Sequence, residues 1–231
     1  YNAKNYPNLV ALFDYFGIET NSTDMSFGVS INEGEFEYAG SDLAGLIAQK
    51  SNLFKWRFWT MVRDIVRFYR EAPKFLKESR YLHMTLGEFL KEHNYSKSFQ
   101  HDHLLPMGAA IWSTPIETMM DYPLEAFVRF CENHGLLQLS NRPKWRTVQG
   151  GSREYVKKIT SIYKDRIKLN TQAVQVYNQG QHVFVEDRDG HVESYDHVVL
   201  ACHADQALQL LKEPDHMEQK LLGAFKYQAN K

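Results

Sequence analysis

The last third of the chain constrains the fold most. Four short β-rich runs, at residues 167–169, 173–177, 182–186 and 191–195, are separated by Asn178-Gln179-Gly180-Gln181 and Asp187-Arg188-Asp189-Gly190. Each turn carries a glycine where the backbone needs a positive φ, so a β-meander is expected. Before it, Gly150-Gly151-Ser152 opens a stretch with helical apolar periodicity. After it, Val198-Val199-Leu200-Ala201 is apolar without alternation, the pattern of a strand covered on both faces, and a helix follows from Ala204. Helix, meander, buried strand and helix, in that order, complete an α/β sheet of the nucleotide-binding kind.

The glycine-rich turn that opens such sheets, Gly-x-Gly-x-x-Gly with a distant acidic residue, does not occur in this sequence. Tyr1 opens on Asn2-Ala3-Lys4 with neither an initiator Met nor a leader pattern. The expectation is an interior piece of a larger protein.

The preceding residues read as a mainly helical layer. Leu9, Leu12, Phe13 and Phe16 recur at helical spacing before Gly17, a C-terminal stop. Residues 25–31 and 36–38 flank Asn32-Glu33-Gly34-Glu35, which predicts a hairpin. Residues 52–79 form the strongest helical signal, with Phe58, Val62, Ile65, Tyr69, Ala72 and Leu76 on one face. Arg63, Arg67, Arg70, Lys74 and Lys77 fall on another, and residues 50–77 hold eight Lys/Arg against two acids. Such a stripe is either a solvated face or a contact for phosphate, anionic lipid or an acidic partner. Thr85 and Glu88 have the spacing of a capping box. Further helices are expected within 95–112, ended by Pro115, and over 123–133, stopped near Gly135.

Bulk properties exclude little. A net charge of -1 gives no global attraction to nucleic acid, and no nucleic-acid partner is expected. The two cysteines, Cys131 and Cys202, support neither a disulfide framework nor a thiol metal site, and they fit a reducing, cytoplasmic compartment. No apolar stretch reaches the ~18 residues that would span a bilayer. An aromatic content of 13% points to a large apolar core or an aromatic-lined pocket.

Few clusters suggest chemistry. Gly150 and Gly151 offer amides at a helix start, suited to an anion or simply to a tight turn with Ser152 as cap. Ala201-Cys202-His203-Ala204-Asp205 leaves the expected strand at its C-terminal end, where open α/β sheets bind nucleotides; Cys202 reads as a buried, inert thiol. His101-Asp102-His103 reads as a solvated loop or helix end, and no metal site is expected.

Several segments together carry a resemblance: Tyr1-Asn2 through Asn8-Leu9, Asp24-Met25-Ser26-Phe27, Leu105-Pro106-Met107-Gly108-Ala109-Ala110-Ile111-Trp112-Ser113, Gly150-Gly151-Ser152-Arg153, and Val199-Leu200-Ala201-Cys202-His203-Ala204-Asp205-Gln206-Ala207. In this combination and order the chain resembles, over essentially its whole length, a bacterial subgroup of the flavin-containing amine oxidase superfamily. The resemblance implies an α+β fold, with a mainly helical substrate domain at 1–145 packed on a partial α/β FAD-binding domain at 146–231. It implies FAD as cofactor, met by Val174, Ala201, Cys202, Gly150 and Gly151. Met107, Ile111 and Trp112 would line an apolar substrate cavity. The implied activity is hydride transfer to flavin from an amine or an apolar, lipid-like small molecule, with no residue singled out as acid or base. The flanking segments of the FAD domain would be this chain's partners, and without them it would be inactive. The rival reading is a non-catalytic binding or scaffold module that docks an acidic partner or a membrane surface through its basic helix.

Overall fold

The computed structural model describes residues 1–40, 42–138 and 143–227. Elements are numbered in chain order. They divide between two compact units, residues 1–162 and 163–231.

In the first unit, helix α1 (Pro7–Phe16) begins on a proline, whose fixed φ suits a first helical position. It ends on Gly17 at φ +59, which returns its amide to the carbonyls of Asp14 and Phe13. Strand β1 (Thr20–Thr23) pairs antiparallel with β4 (Trp145–Val148), which leads through Gly150 and Gly151 into α8 (Ser152–Thr160). Phe13 is buried where α1 meets α8, edge-on to Tyr1 and tilted against Tyr155. The hairpin β2 (Gly28–Ile31) and β3 (Phe36–Ala39) forms as the turn chemistry predicts, with Gly34 at φ +96.

A short helix α2 (Leu43–Leu46) and a 3-10 turn (Lys50–Phe54) precede α3 (Trp56–Phe75). The long periodic stretch is thus broken at Lys55, whose backbone is extended, and ends two residues after Pro73. The buried stripe of α3 is rotated from the expected one: Phe58, Met61, Asp64, Ile65, Phe68 and Ala72 are buried, while Val62, Tyr69 and Leu76 are only partly so. Asp64 decides this. Its carboxylate accepts from the Arg63 guanidinium at 2.9 Å and from the Ser96 amide at 2.8 Å, so a charge can occupy the core face.

Helix α4 (Leu86–Glu92) opens with the reciprocal Thr85–Glu88 capping box. Helix α5 (Lys97–Phe99) runs through a π-helical turn (Gln100–Leu104) into α6 (Leu105–Trp112), and α7 (Leu124–Asn133) follows. The core lies among these helices. Phe68 is its hub, with the rings of Phe89, Tyr95, Phe99 and Phe127 at centroid distances of 5.5 to 6.5 Å. The high aromatic content is therefore largely core packing.

The second unit contains the meander β5 (Ala173–Gln179), β6 (His182–Asp187) and β7 (Val192–Tyr195), followed by α9 (Ala204–Leu210) and α10 (His216–Leu222). Residues 167–169 form no strand. Nor do Val198–Ala201, which contradicts the expected buried strand: the backbone is irregular and Val199 is 88% exposed. A strand apolar on both faces needs a neighbour at its edge and cover above and below; the described residues pair no strand with this run and cover only Val198 and Leu200, in part. No helix among the described residues is long and apolar enough to cross a membrane.

Candidate functional site

The site grows from the π-helical turn. A π turn holds one residue more than an α turn and turns a side chain where a regular helix would not, often at a functional position. Here it buries Asp102 and His103, correcting the expectation of a solvated loop or helix end. His101, on the same turn, stays exposed. The partners come from elsewhere in the chain: Arg57 on α3, Tyr38 on β3 and Tyr69 on α3.

Asp102 receives Arg57 in a bidentate pair, Nε to Oδ2 and Nη2 to Oδ1, both at 2.6 Å. This hydrogen-bonded pair holds the guanidinium pKa above its ordinary value. The Asp102 carbonyl accepts from the Tyr38 hydroxyl at 2.7 Å. That hydroxyl also lies 2.9 Å from His103 Nδ1, and the Tyr69 hydroxyl lies 3.3 Å from His103 Nε2. A phenol has one proton, and Tyr38 gives its own to a carbonyl, which can only accept. The Tyr38 oxygen is left to accept from His103 Nδ1, and the imidazole bridges the two phenols through its two ring nitrogens. Burial first, then Tyr69 and Asp102, raises the Tyr38 pKa far above the usual phenol range, so it stays a donor.

His103 and Tyr69 line a cleft of about 670 Å³ in the first unit, with Met107 from α6, Phe27, Trp145 and His134 among its other walls. Exposed charges, Asp24, Asp42 and Lys144, also border it. His134 is stacked on Phe130 at 4.1 Å and parallel to Trp145 at 6.1 Å, and burial lowers its pKa. The cleft is thus mixed in character, with Ser22, Thr23 and Ser26 beside the apolar walls, and a concave site with convergent polar groups is the usual form of a small-molecule site.

Of the three residues expected to line a substrate cavity, the structure brings Met107 to this cleft. Ile111 and Trp112 are not on its wall. Trp112 instead packs between Tyr122, Phe127 and Phe130, on the far side of α6. His103 stands out in the sequence only as part of the His101-Asp102-His103 cluster; its tyrosine partners do not, because 34 to 65 residues separate them from it and no local pattern links them.

The expected cofactor-side residues fall in both units. Gly150 and Gly151 lie in the first, at φ +77 and +91, and form the turn between β4 and α8. Gly151 itself caps that helix, not Ser152. In the second unit Val174 sits at an irregularity in the β5–β6 register, between Ala173 and Gln175, and is 41% exposed. Ala201 and Cys202 are exposed, so the expectation of a buried thiol at Cys202 is corrected; it failed with the strand that was to cover it. The buried thiol is Cys131, whose pKa burial pushes up to about 12. Val198 and Leu200 line a second cleft of about 750 Å³ with Val176, Val183, Leu211 and Lys212. Asp187, Asp189 and His191 cluster at the β6–β7 turn, where Asp187 accepts from the Asp189 and His191 amides.

No curated protein sequence matches this chain. Among solved structures it is similar to a redesigned putrescine oxidase (TM-score 0.64, 13% identity, 96% of this chain and 50% of that one). The wild-type putrescine oxidase bound to putrescine gives TM-score 0.63 and 14% identity, covering 96% and 51%. A CLA-producing fatty acid isomerase from P. acnes gives TM-score 0.53 and 11% identity, covering 94% and 49%. The chain thus spans about half the length of the structures it matches, and at these identities the likeness is one of fold. Residues 2–229 match the profile of the flavin containing amine oxidoreductases, and the chain belongs to that family.

Proposed function

We propose that this chain carries the substrate side and the adenine side of an FAD-dependent oxidoreductase acting on a small amine or an apolar, lipid-like molecule. The family match over residues 2–229 carries this reading. The cleft walled by His103, Tyr69, Met107 and Phe27 supplies a place for the substrate. Asp24 and Asp42 at its border suit a cationic amine, and Met107 with Phe27 suits an alkyl chain. The fold likenesses to a putrescine oxidase and a fatty acid isomerase span the same two chemistries.

The residues proposed to meet FAD are suited to its adenine end. Val174, at an irregular strand position, and the small residues Ala201 and Cys202 are all exposed, which leaves them open to an adenine. They do not offer a pyrophosphate clamp: at the start of α9 the Ala204 amide already donates to the Tyr227 hydroxyl and the Gln206 amide to Asp205. The domain assignment, a substrate domain over residues 1–145 and an FAD-binding domain over residues 146–231, belongs to the same proposal. When bound, flavin supplies the hydride acceptor. The chain's own residues bind and orient the substrate: Met107 and Phe27 exclude water, and the hydrogen-bonded Tyr38–His103–Tyr69 chain presents polar groups at the cleft wall.

The test is the visible spectrum of the protein made from its complete reading frame. A bound-flavin spectrum that bleaches anaerobically with putrescine or with an unsaturated fatty acid is the expected result, and the effective compound identifies the class. A colourless protein that takes up no added FAD would overturn the reading.

A further inference from the structure

Helix α3 has a second face, away from the cleft. Trp56, Trp59, Arg63, Arg67, Arg70 and Lys74 succeed one another at steps of three and four residues, so they share one side of the helix over about 27 Å. The opposite side is buried in the core. The two tryptophans occupy the first turn, 79% and 48% exposed, and Phe54 just before them is 91% exposed. The Trp59 indole donates to the Leu53 carbonyl at 2.9 Å, tying the 3-10 turn to α3 and holding the aromatic end in place. Further along, Arg63 pairs with Asp64 and Arg67 with Glu71, whereas Arg70 and Lys74 make no ion pair among the described residues.

We propose that this face is a docking surface for an anionic lipid bilayer, with Phe54 and Trp56 entering the headgroup region and Arg70 and Lys74 meeting phosphates. Charge complementarity identifies the occupant, since the stripe retains positive charge after its two internal pairs. The separation of rings from cations supports the choice. Indole and phenyl rings beside a basic stripe match the depth gradient of a bilayer interface, which is apolar below and phosphate-rich above. Single-stranded nucleic acid calls for rings interleaved with cations along its track. An acidic protein would satisfy the cations and leave Phe54 and Trp56 in water. The geometry requires no α3 residue to leave the core, because the docking face is already the solvent side.

The experiment is vesicle co-sedimentation of the full chain, with tryptophan emission recorded in parallel. Vesicles of phosphatidylcholine alone are compared with vesicles that also contain phosphatidylglycerol, at low and physiological salt. Binding to the anionic vesicles, weakened by salt and accompanied by a blue shift, is expected. R70E/K74E should reduce partitioning on the order of tenfold or more. F54A/W56A should lose the blue shift while keeping a weaker, salt-sensitive association. All four side chains are on the surface, so both variants should keep the wild-type far-ultraviolet circular dichroism. Absence of sedimentation with anionic vesicles would overturn the proposal, as would binding that neither variant alters. Preferential capture by single-stranded oligonucleotide or polyglutamate would assign the face to that partner instead and overturn it equally.

Discussion

At the scale of single residues, Asp102 depends on Arg57. Its carboxylate is 2% exposed, and the guanidinium that neutralises it is 43% exposed. Arg57→Ala would strand a buried charge; the loss is expected at about 2–3 kcal/mol, below the ~3–5 of a fully buried pair because water reaches the arginine side. Urea unfolding measures it, and an unchanged midpoint would refute the assignment. His134 gives a pH signature. Its pKa is lowered in the folded state, so the unfolded chain binds the proton more readily. This histidine's contribution to stability is then present above its unfolded pKa, about 6.5, and is lost as pH falls through the interval down to the folded value. His134→Gln should flatten the stability profile over that interval, and thermal unfolding between neutral and mildly acidic pH would show it. Little of this was legible in the sequence. Asp102 and His103 looked like a solvated loop because what buries them lies 45 and 65 residues away, on α3 and β3.

At the scale of elements, local chemistry was legible and distant pairing was not. Gly17, the Gly34 turn, the Thr85–Glu88 box and the two meander turns each specify their structure within a few residues, and each formed as expected. Strand β1 is Thr-Asn-Ser-Thr and carries no apolar alternation; it exists because β4 pairs with it from across the unit. Arg146 reinforces that pairing with bonds to the Thr20 hydroxyl at 2.8 Å and carbonyl at 2.7 Å. The turn leaving β4 is the place to test. Gly151 has φ +91 and ψ 172, a region essentially restricted to glycine, although open space surrounds its missing Cβ. Gly151→Ala should therefore cost about 1–3 kcal/mol from backbone strain alone. A variant as stable as the parent in chemical denaturation would show that the turn relaxes. The π-helical turn belongs to this scale too. Deleting one residue within Gln100–Leu104 would remove the extra residue that the π turn accommodates and restore an α turn with α6 still in phase, so the loss falls on the contacts that Asp102 and His103 make from the turn.

At the scale of the whole molecule, the two units differ in how much apolar surface they bury. The first holds the aromatic core, while in the second Val176 and Ala207 are the buried apolar side chains among the described residues. Stability should follow burial. In limited trypsin digestion the second unit is expected to be cut first, leaving a resistant fragment that ends near Lys164; simultaneous loss of both units would contradict this. The sequence conveyed the α+β class and the meander, yet it could not show that Val198–Ala201 would stay unpaired, because pairing depends on neighbours and not on composition. An apolar run whose backbone pairs with no strand among the described residues is also an adhesive edge. Its concern is colloidal: prepared alone at high concentration, this polypeptide should self-associate through Val199, and a lysine at that position should keep it dispersed.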